Sequence, residues 1–505
     1  MNTATMIPTK TGLMERWHIT RTHVKFYNKV LVSARYKAPL TMLSNTRGAF
    51  NHKDGFKYLI YSALSEVISQ HPIISVVIED EVSPIPEWRR VQKICFEDVV
   101  EFYSGGLHDG ENEDAWILEG HEKELEGRDE MPLWRVRVTR PILGEDDDEE
   151  GIFGFTVAFY FHHAIGDGLS GNAFHLTFLS ALNNLLSDPS SISNAEIVPA
   201  PRLPLIPALE MGTKLGLTWW FVLKQIIKAF IWSPLDKLLW TGPPIKNPPI
   251  LPAVGDQKGF EIEAGMVKKL VKKCREENTS ITALVAVLVA RKMAIMNPTY
   301  SHFAGTIPFS LRKFTGHSER DMGNFVSNVV PLFSSAKRTE RGYISCVSPE
   351  QKSDTGTHFE FKDTDLLSKD KILWNSARET RAFMAAGTAS PKNQMVGLLG
   401  FVKDLVPFFL KKFGQRREYT FEISNIGVVD GGIGAEGKEG RVTFDKVLFS
   451  GSICTYAGPF EVMLATVKNG WMTVVVRWEK GVISDEDGRE LARWLEGQLR
   501  GFDDV

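Results

Sequence analysis

The stretch 153–161 constrains this chain more than any other. Its odd positions are Phe153, Phe155, Val157, Phe159 and Phe161, and its even positions are Gly154, Thr156, Ala158 and Tyr160. Alternation with period two predicts a β-strand with one heavily buried face, and such a strand needs a second layer to cover it. The strand runs directly into His162 and His163, and then into Gly166-Asp167-Gly168. If strand geometry continues, His163 shares the face of the phenylalanines and His162 points the other way. Gly166 and Gly168 allow a sharp turn and positive φ. Beyond Ser170, the residues Phe174, Phe178, Ala181, Leu182 and Leu185 recur at helical spacing. The expectation is a strand–loop–helix junction that holds an imidazole at the end of a rigid element, with a carboxylate four residues on.

A bare His-x-x-x-Asp spacing says little, because a chain with 12 histidines supplies roughly one such match by chance. The chain carries its own control: His317 and Asp321 have the same spacing in a polar run with no strand directly before it, which reads as a solvated loop. The full His-His-x-x-x-Asp-Gly pattern is far rarer, on the order of one match per thousand chains of this size. The chain has 505 residues, 43% of them hydrophobic, enough for two core-forming domains. A net charge of −3 gives no reason to expect nucleic acid. Cys95, Cys274, Cys346 and Cys454 are widely separated and form neither metal-type nor disulfide-type spacings. Residues 1–13 lack the basic start and apolar run of a secretory signal, so a reducing, cytoplasmic setting is expected.

The chain divides into three parts. Residues 1–210 read as strand–helix units that end in the histidine motif. Residues 211–255 hold an amphipathic helix and a proline-rich connector. Residues 256–505 form a second half. Within the connector, 215–232 is an apolar helix interrupted by Lys224 and Lys228. Those lysines forbid an easy span, so the helix either packs across the two halves or lies peripherally on an intracellular membrane. In the second half, Ser280 precedes a long apolar run to Ala290, which predicts a capped, buried helix. The acidic run 145–150 reads as a solvated loop, and 337–371 as a polar insertion.

In its His162-His163-x-x-x-Asp167-Gly168 pattern the chain resembles the CoA-dependent acyltransferase superfamily, which includes chloramphenicol acetyltransferase, plant acyltransferases and peptide-synthetase condensation domains. Further segments are similar to the fungal alcohol acetyltransferase family. They are the opening run from Met14 to Arg21, Met131-Pro132-Leu133-Trp134-Arg135-Val136, Ile307-Pro308-Phe309-Ser310-Leu311-Arg312, the run from Met322 to Asn328, Ser424-Asn425-Ile426-Gly427 and Phe449-Ser450-Gly451-Ser452. The Asp-Phe-Gly-Trp-Gly motif of the plant branch is absent. The resemblance implies an α/β fold of two chloramphenicol acetyltransferase-like sandwich domains, with an active-site tunnel at their interface. It implies a monomer that takes acetyl-CoA as co-substrate, with no bound cofactor, and transfers acetyl to a hydroxyl of a small hydrophobic or secondary-metabolite acceptor. It assigns the base to His163 and turns Asp167 away, paired with an arginine that locks the loop; Arg312 is the candidate.

The chemistry needs few parts. A neutral imidazole accepts the acceptor's proton as attack on the thioester proceeds, and the same group protonates the departing thiolate. No serine or cysteine nucleophile is required. The tetrahedral oxyanion needs donors, for which Asn425, Ser450 and Ser452 are candidates. Lys411, Lys412, Arg416 and Arg417 are candidates for the CoA phosphates, although a basic run after an apolar helix also serves simply to cap it. Trp17 and His18 read as packing residues of the first helix. Four alternatives stay open: an amine acceptor, a carrier-bound acyl group, a non-catalytic acyl or lipid binder, and a metal held by His162, His163 and Asp167. Adjacent histidines on opposite strand faces make a poor chelate, so no metal is expected.

Overall fold

The computed structural model describes residues 9–42, 55–103, 110–139, 151–227, 237–247, 253–335, 344–347, 371–434 and 440–501. Its strands are β1 (Val30–Pro39), β2 (Val100–Tyr103), β3 (Trp134–Thr139), β4 (Ile152–Phe161), β5 (Gly255–Ile262), β6 (His302–Ser310), β7 (Val326–Val329), β8 (Leu332–Ser335), β9 (Ile344–Val347), β10 (Phe421–Val429), β11 (Thr443–Gly451), β12 (Phe460–Val467) and β13 (Met472–Glu479), with shorter pairings beside them. The helices used below are α1 (Leu13–His23), α2 (Gly55–Gln70), α3 (Gly110–Glu122), α4 (Gly168–Ser187), α5 (Trp219–Ile227), α6 (Ala264–Glu276), α7 (Ile281–Met296), α8 (Lys371–Gly387), α9 (Leu405–Leu410) and α10 (Asp485–Arg500). The acidic run 145–150 lies outside the described residues. So does most of 337–371, apart from β9, which pairs antiparallel with β8.

The alternating stretch forms β4, the middle strand of a five-stranded sheet ordered β11-β1-β4-β3-β2. Phe161 faces Val30 of β1 on one side and Trp134 of β3 on the other. From Phe155 to Phe161 every residue is buried, so the expected single buried face is corrected to two. On one face Phe159 stacks on Phe174 of α4, with ring centroids 4.0 Å apart. On the other, the Tyr160 hydroxyl donates to the Ile117 carbonyl of α3 at 3.2 Å. The alternation recorded large against small side chains, not inside against outside.

The second sheet runs β5-β13-β12-β10-β6-β8-β9. One face is covered by α6, α7 and α10, whose apolar residues share a core with Phe421, Val462, Leu464 and Val476. Helix α7 is the buried helix the sequence indicates, and the Ser280 hydroxyl accepts from the Ala283 N–H at 3.3 Å. The opposite face turns toward the first half, where Met463, Ala465 and Val475 join the core of the first sheet. This is two α/β sandwiches packed face to face. Sheet membership crosses the contiguous division 1–210, 211–255 and 256–505, because β11 leaves the second half and pairs with β1, Gly451 opposite Val30. Hydrogen-bonding an edge strand needs a partner of matching length, and nothing local to β11 names β1 as that partner.

The connector helix is shorter at its start than 215–232. It begins at Trp219, and the Thr218 hydroxyl accepts from the Phe221 N–H at 3.3 Å as a cap. None of its described residues is buried, and Trp219 and Trp220 are 66% and 70% exposed. Residues 228–232 lie outside the described residues. Among the described residues no single helix is long and apolar enough to cross a membrane.

Helix α4 meets the first sheet through Gly171, where an added Cβ would lie 2.1 Å from Val32 Cγ2 and 2.6 Å from Val32 Cβ. Gly171→Ala therefore forces α4 off β1 and is expected to cost about 1–3 kcal/mol, read as a lowered midpoint in denaturant unfolding.

Candidate active site

Strand β4 stops at Phe161 because the backbone turns there. The His162 N–H still reaches the Leu133 carbonyl at 2.8 Å. The His162 Nδ1 then accepts from the Ala164 N–H at 3.0 Å and caps a single 3-10 turn over His163–Ile165. His162 is fully buried. His163 takes its direction from this turn rather than from the face of the phenylalanines, which corrects the strand-parity argument, and it lines a large cavity. Neither Gly166 nor Gly168 adopts positive φ. Both are needed for close approach: a Cβ on Gly166 would lie 2.6 Å from Ser170 Cβ, and one on Gly168 would lie 2.3 Å from Ile426 Cγ2 of the second half.

Asp167 also borders the cavity, but its carboxylate oxygens are taken up by an ion pair and main-chain donors. Its Oδ2 accepts from Arg312 Nη1 at 2.6 Å and its Oδ1 from Arg312 Nη2 at 2.9 Å, a two-pronged ion pair between groups that are nearly inaccessible. The same carboxylate caps α4 through the Ser170 N–H at 3.1 Å and accepts from the Phe325 N–H at 3.2 Å. Burial alone would raise its pKa, but the Arg312 guanidinium and these N–H donors hold it below the usual carboxylate range. Asn324 completes the clamp, its amide donating to the carbonyls of both His163 and Ala164 at 2.7 Å.

His163 is half-buried at the cavity wall. Its Nδ1 is buried without a hydrogen-bond partner of good geometry, and its ring lies parallel to that of His18, with centroids 3.7 Å apart and planes 7° apart. Burial, and then the Arg21 charge, lower the His163 pKa to about 4. Burial likewise drives His162 well below the ordinary histidine value, with Arg128 and His163 adding to it.

The cavity has a volume of about 2070 Å³ and takes its walls from both halves, with His163 and Asn172 on one side and Thr306, Ser424 and Asn425 on the other. That exceeds what one drug-sized ligand occupies, so two substrates fit. Asn425 is on the wall, its amide held by the Thr282 hydroxyl at 3.0 Å and its oxygen by the Gly427 N–H at 2.8 Å. The structure does not bring Ser450 or Ser452 to the cavity. Ser450 is fully buried between the sheets, donating to Gln257 at 3.0 Å and accepting from Arg477 at 3.1 Å. Ser452 bonds the Lys29 main chain at 3.0 and 3.2 Å. In β11 both faces are buried, so strand parity carried no information about the cavity.

The basic residues also separate. Lys411 is exposed and off the cavity. Lys412 pairs with Glu418 and lies on the cavity wall. Arg416 is on the wall and donates to the Thr241 hydroxyl at 2.9 Å. Arg417 is 3% exposed and spent on the Pro243 and Thr455 carbonyls and on Glu479, which makes it a strut rather than a phosphate ligand. Residues the sequence reading passed over line the same space: His18 and Arg21 from α1, and Glu422 from β10. His18 and Arg21 are three apart on one helix, a spacing that puts them on one face, and this signal lay in the opening segment.

The fold defines the class first. It is similar to that of a trichothecene 15-O-acetyltransferase from Fusarium sporotrichioides, with TM-score 0.69 at 10% identity over 97% of this chain and 94% of that one. It is also similar to the first condensation domain of the CDA synthetase, with TM-score 0.55 at 13% identity over 99% and 97%. These likenesses show the fold, two α/β sandwiches with the histidine motif at their junction. Residues 10–497 match the alcohol acetyltransferase family model, and the chain belongs to that family. It is 24% identical to a probable alcohol acetyltransferase of Aspergillus fumigatus over 493 residues, covering 94% of this chain and 95% of the relative. A probable alcohol acetyltransferase of Fusarium pseudograminearum is also 24% identical, over 88% of this chain and 87% of its own.

Asp167→Asn leaves Arg312 buried without its counter-charge. A loss of about 3–5 kcal/mol in unfolding free energy is expected, together with faster amide exchange over residues 162–168. Arg312→Lys keeps the charge but loses the fork, and a smaller loss is expected in the same two measurements.

Proposed function

We propose that this protein transfers an acetyl group from acetyl-CoA to a hydroxyl of a small, largely apolar acceptor by direct attack, with both substrates bound at once. The observation that carries this reading is the imidazole of His163, presented neutral to a cavity walled by both halves. With Nδ1 closed off, Nε2 is the nitrogen that receives the acceptor's proton. The electron pair of the hydroxyl oxygen attacks the thioester carbon, and the oxyanion collapses to expel CoA thiolate, which takes the proton back from His163. Asn425 supports oxyanion stabilisation as a donor-bearing side chain on the wall, and Lys412 and Arg416 support phosphate binding at the same cavity. Asp167 has no part in the proton transfer, since its oxygens are committed to Arg312, Ser170 and Phe325. Its commitment also removes it from any ligand set with the two histidines. The apolar residues along the cavity, among them Leu399, Phe449 and Met463, favour an apolar acceptor.

His163→Ala is expected to lower the rate of thiol release from acetyl-CoA with acceptor by about 10²-fold or more, near 3 kcal/mol in barrier, in a protein that stays folded. His162→Ala should be milder in rate and harsher in stability, because His162 caps the turn and faces no substrate. A folded His163→Ala enzyme that keeps most of its activity would remove the base.

The pH dependence follows from the sign of the His163 shift. A base works in its neutral form, and a pKa lowered to about 4 keeps that form dominant far into acid. The acid limb of kcat/KM should therefore fall close to that value, with activity still on its plateau at about pH 6.5, where an ordinary histidine is half protonated. A limb centred near the ordinary value would contradict this.

A further inference from the structure

Helix α1 carries a pair of side chains that packing alone does not explain. His18 is 3% exposed and lies flat on His163 at 3.7 Å. Its Nδ1 contacts Arg21 Nη2 at 2.9 Å. A guanidinium only donates, so Nδ1 must accept, and the His18 proton is confined to Nε2. That Nε2 is buried with no partner. A phenylalanine would fill the same slot without the cost of an unsatisfied polar atom, so what packing leaves unexplained is the ring nitrogen that accepts from Arg21, not the flat ring itself.

Arg21 is stranger still. It is 8% exposed, sits on the cavity wall, and among the described residues no carboxylate pairs with it. Its contacts include His18, the Cys454 sulfur at 3.7 Å, the face of Tyr27 at 4.0 Å and the Tyr456 side chain, and its Nε is buried and unpaired. Glu422 and Glu461, register neighbours on β10 and β12, both feel its charge. Burial pushes both carboxyls up toward their neutral forms. A buried cation without a counter-ion is costly, and such a residue in a cleft is a candidate for function.

We infer that His18 and Arg21 are positioning residues for His163: the stacked ring fixes the orientation of the base, and the unpaired guanidinium behind it keeps the base from holding a proton. The inference rests on His163 being the base. The groups facing His163 are His18 and Arg21 from α1, Tyr27 after it, His162 beside it and Asp167 beyond the turn. Asp167 would favour the protonated ring, but Arg312 neutralises it. His18 and His162 are themselves neutral, so Arg21 is the one cation among these groups. Arg21 thus acts on His163 both by holding His18 and by its own charge, and the stack ties α1 to the turn that follows β4.

The test reads the ring directly and then the rate. Full-length protein with labelled histidines is titrated by NMR, following His163 assigned by its loss in His163→Ala. In Arg21→Met the His163 midpoint is expected to rise by about one pH unit or more, because a nearby like charge has been removed. Arg21→Gln keeps a donor for His18 without the charge and should show the same rise, and Arg21→Lys should show little. It is the second variant should Arg21→Met fail to fold. His18→Ala is expected to lower kcat by about 10-fold or more with KM for acetyl-CoA unchanged, and His18→Phe, which keeps a flat ring, to recover most of that loss. A wild-type His163 midpoint at the ordinary histidine value overturns the inference without any variant. So does an unshifted midpoint in folded Arg21→Met or Arg21→Gln, or wild-type kcat in His18→Ala. If His163→Ala stays active while the midpoint still shifts, the base assignment fails and the electrostatic role of Arg21 stands.

Discussion

The ion pair between Asp167 and Arg312 is the constraint on which the rest of the site depends. It joins a turn of the first half to the end of β6 in the second, with both groups almost inaccessible. Burying two charges rarely stabilises a fold on balance, because desolvation offsets the attraction. What it does is specify: only one arrangement of the two halves satisfies both prongs, the Ser170 cap and the Phe325 N–H together. The carboxylate also sits at the N-terminus of α4, where the helix dipole favours a negative charge. One side chain therefore caps a helix, shapes the turn that carries His163, and fixes the approach of the opposite wall.

Around the cavity, charge is arranged by subtraction. The buried histidines are held neutral by burial and by arginines, and the buried acids of β10 and β12 are pushed toward their protonated forms. The principal free charge beside the base is cationic, from Arg21. In a low-dielectric space, such a field opposes protonation of His163. A cavity built this way suits a reaction in which a neutral base takes a proton only as an anion forms beside it.

Some residues declared their roles in the chain itself. The strand and the Gly-Asp-Gly turn placed His163 and Asp167 at a junction, and the family resemblance gave the pairing of Asp167 with an arginine, which the structure shows to be Arg312. Ser280 announced α7 through cap chemistry. Others gave no local sign. Ser450 lies on a strand buried on both faces and Ser452 just beyond its end, so alternation did not say which face met the cavity. Arg417 sits in a basic run with Lys411, Lys412 and Arg416, yet each of the four has a different environment, because the chain leaves α9 by a turn and re-enters the second sheet. The orientation of His163 was attributed to strand parity, but the turn decided it.

By itself, the sequence determined the elements whose signals are local: period-two alternation of large and small side chains in β4, helical spacing in α4, the cap at Ser280, and a rare motif that marks the candidate site. Those signals are local because a side chain's periodicity is fixed by its own backbone. Only the tertiary structure decided that β11 crosses to pair with β1 and that Gly168 and Gly171 must be small to let distant residues close in. It alone decided that His18 and Arg21 reach the base across more than a hundred residues of chain. Contacts of that kind depend on which surfaces meet, and no spacing along the chain encodes a meeting between two faces that fold separately.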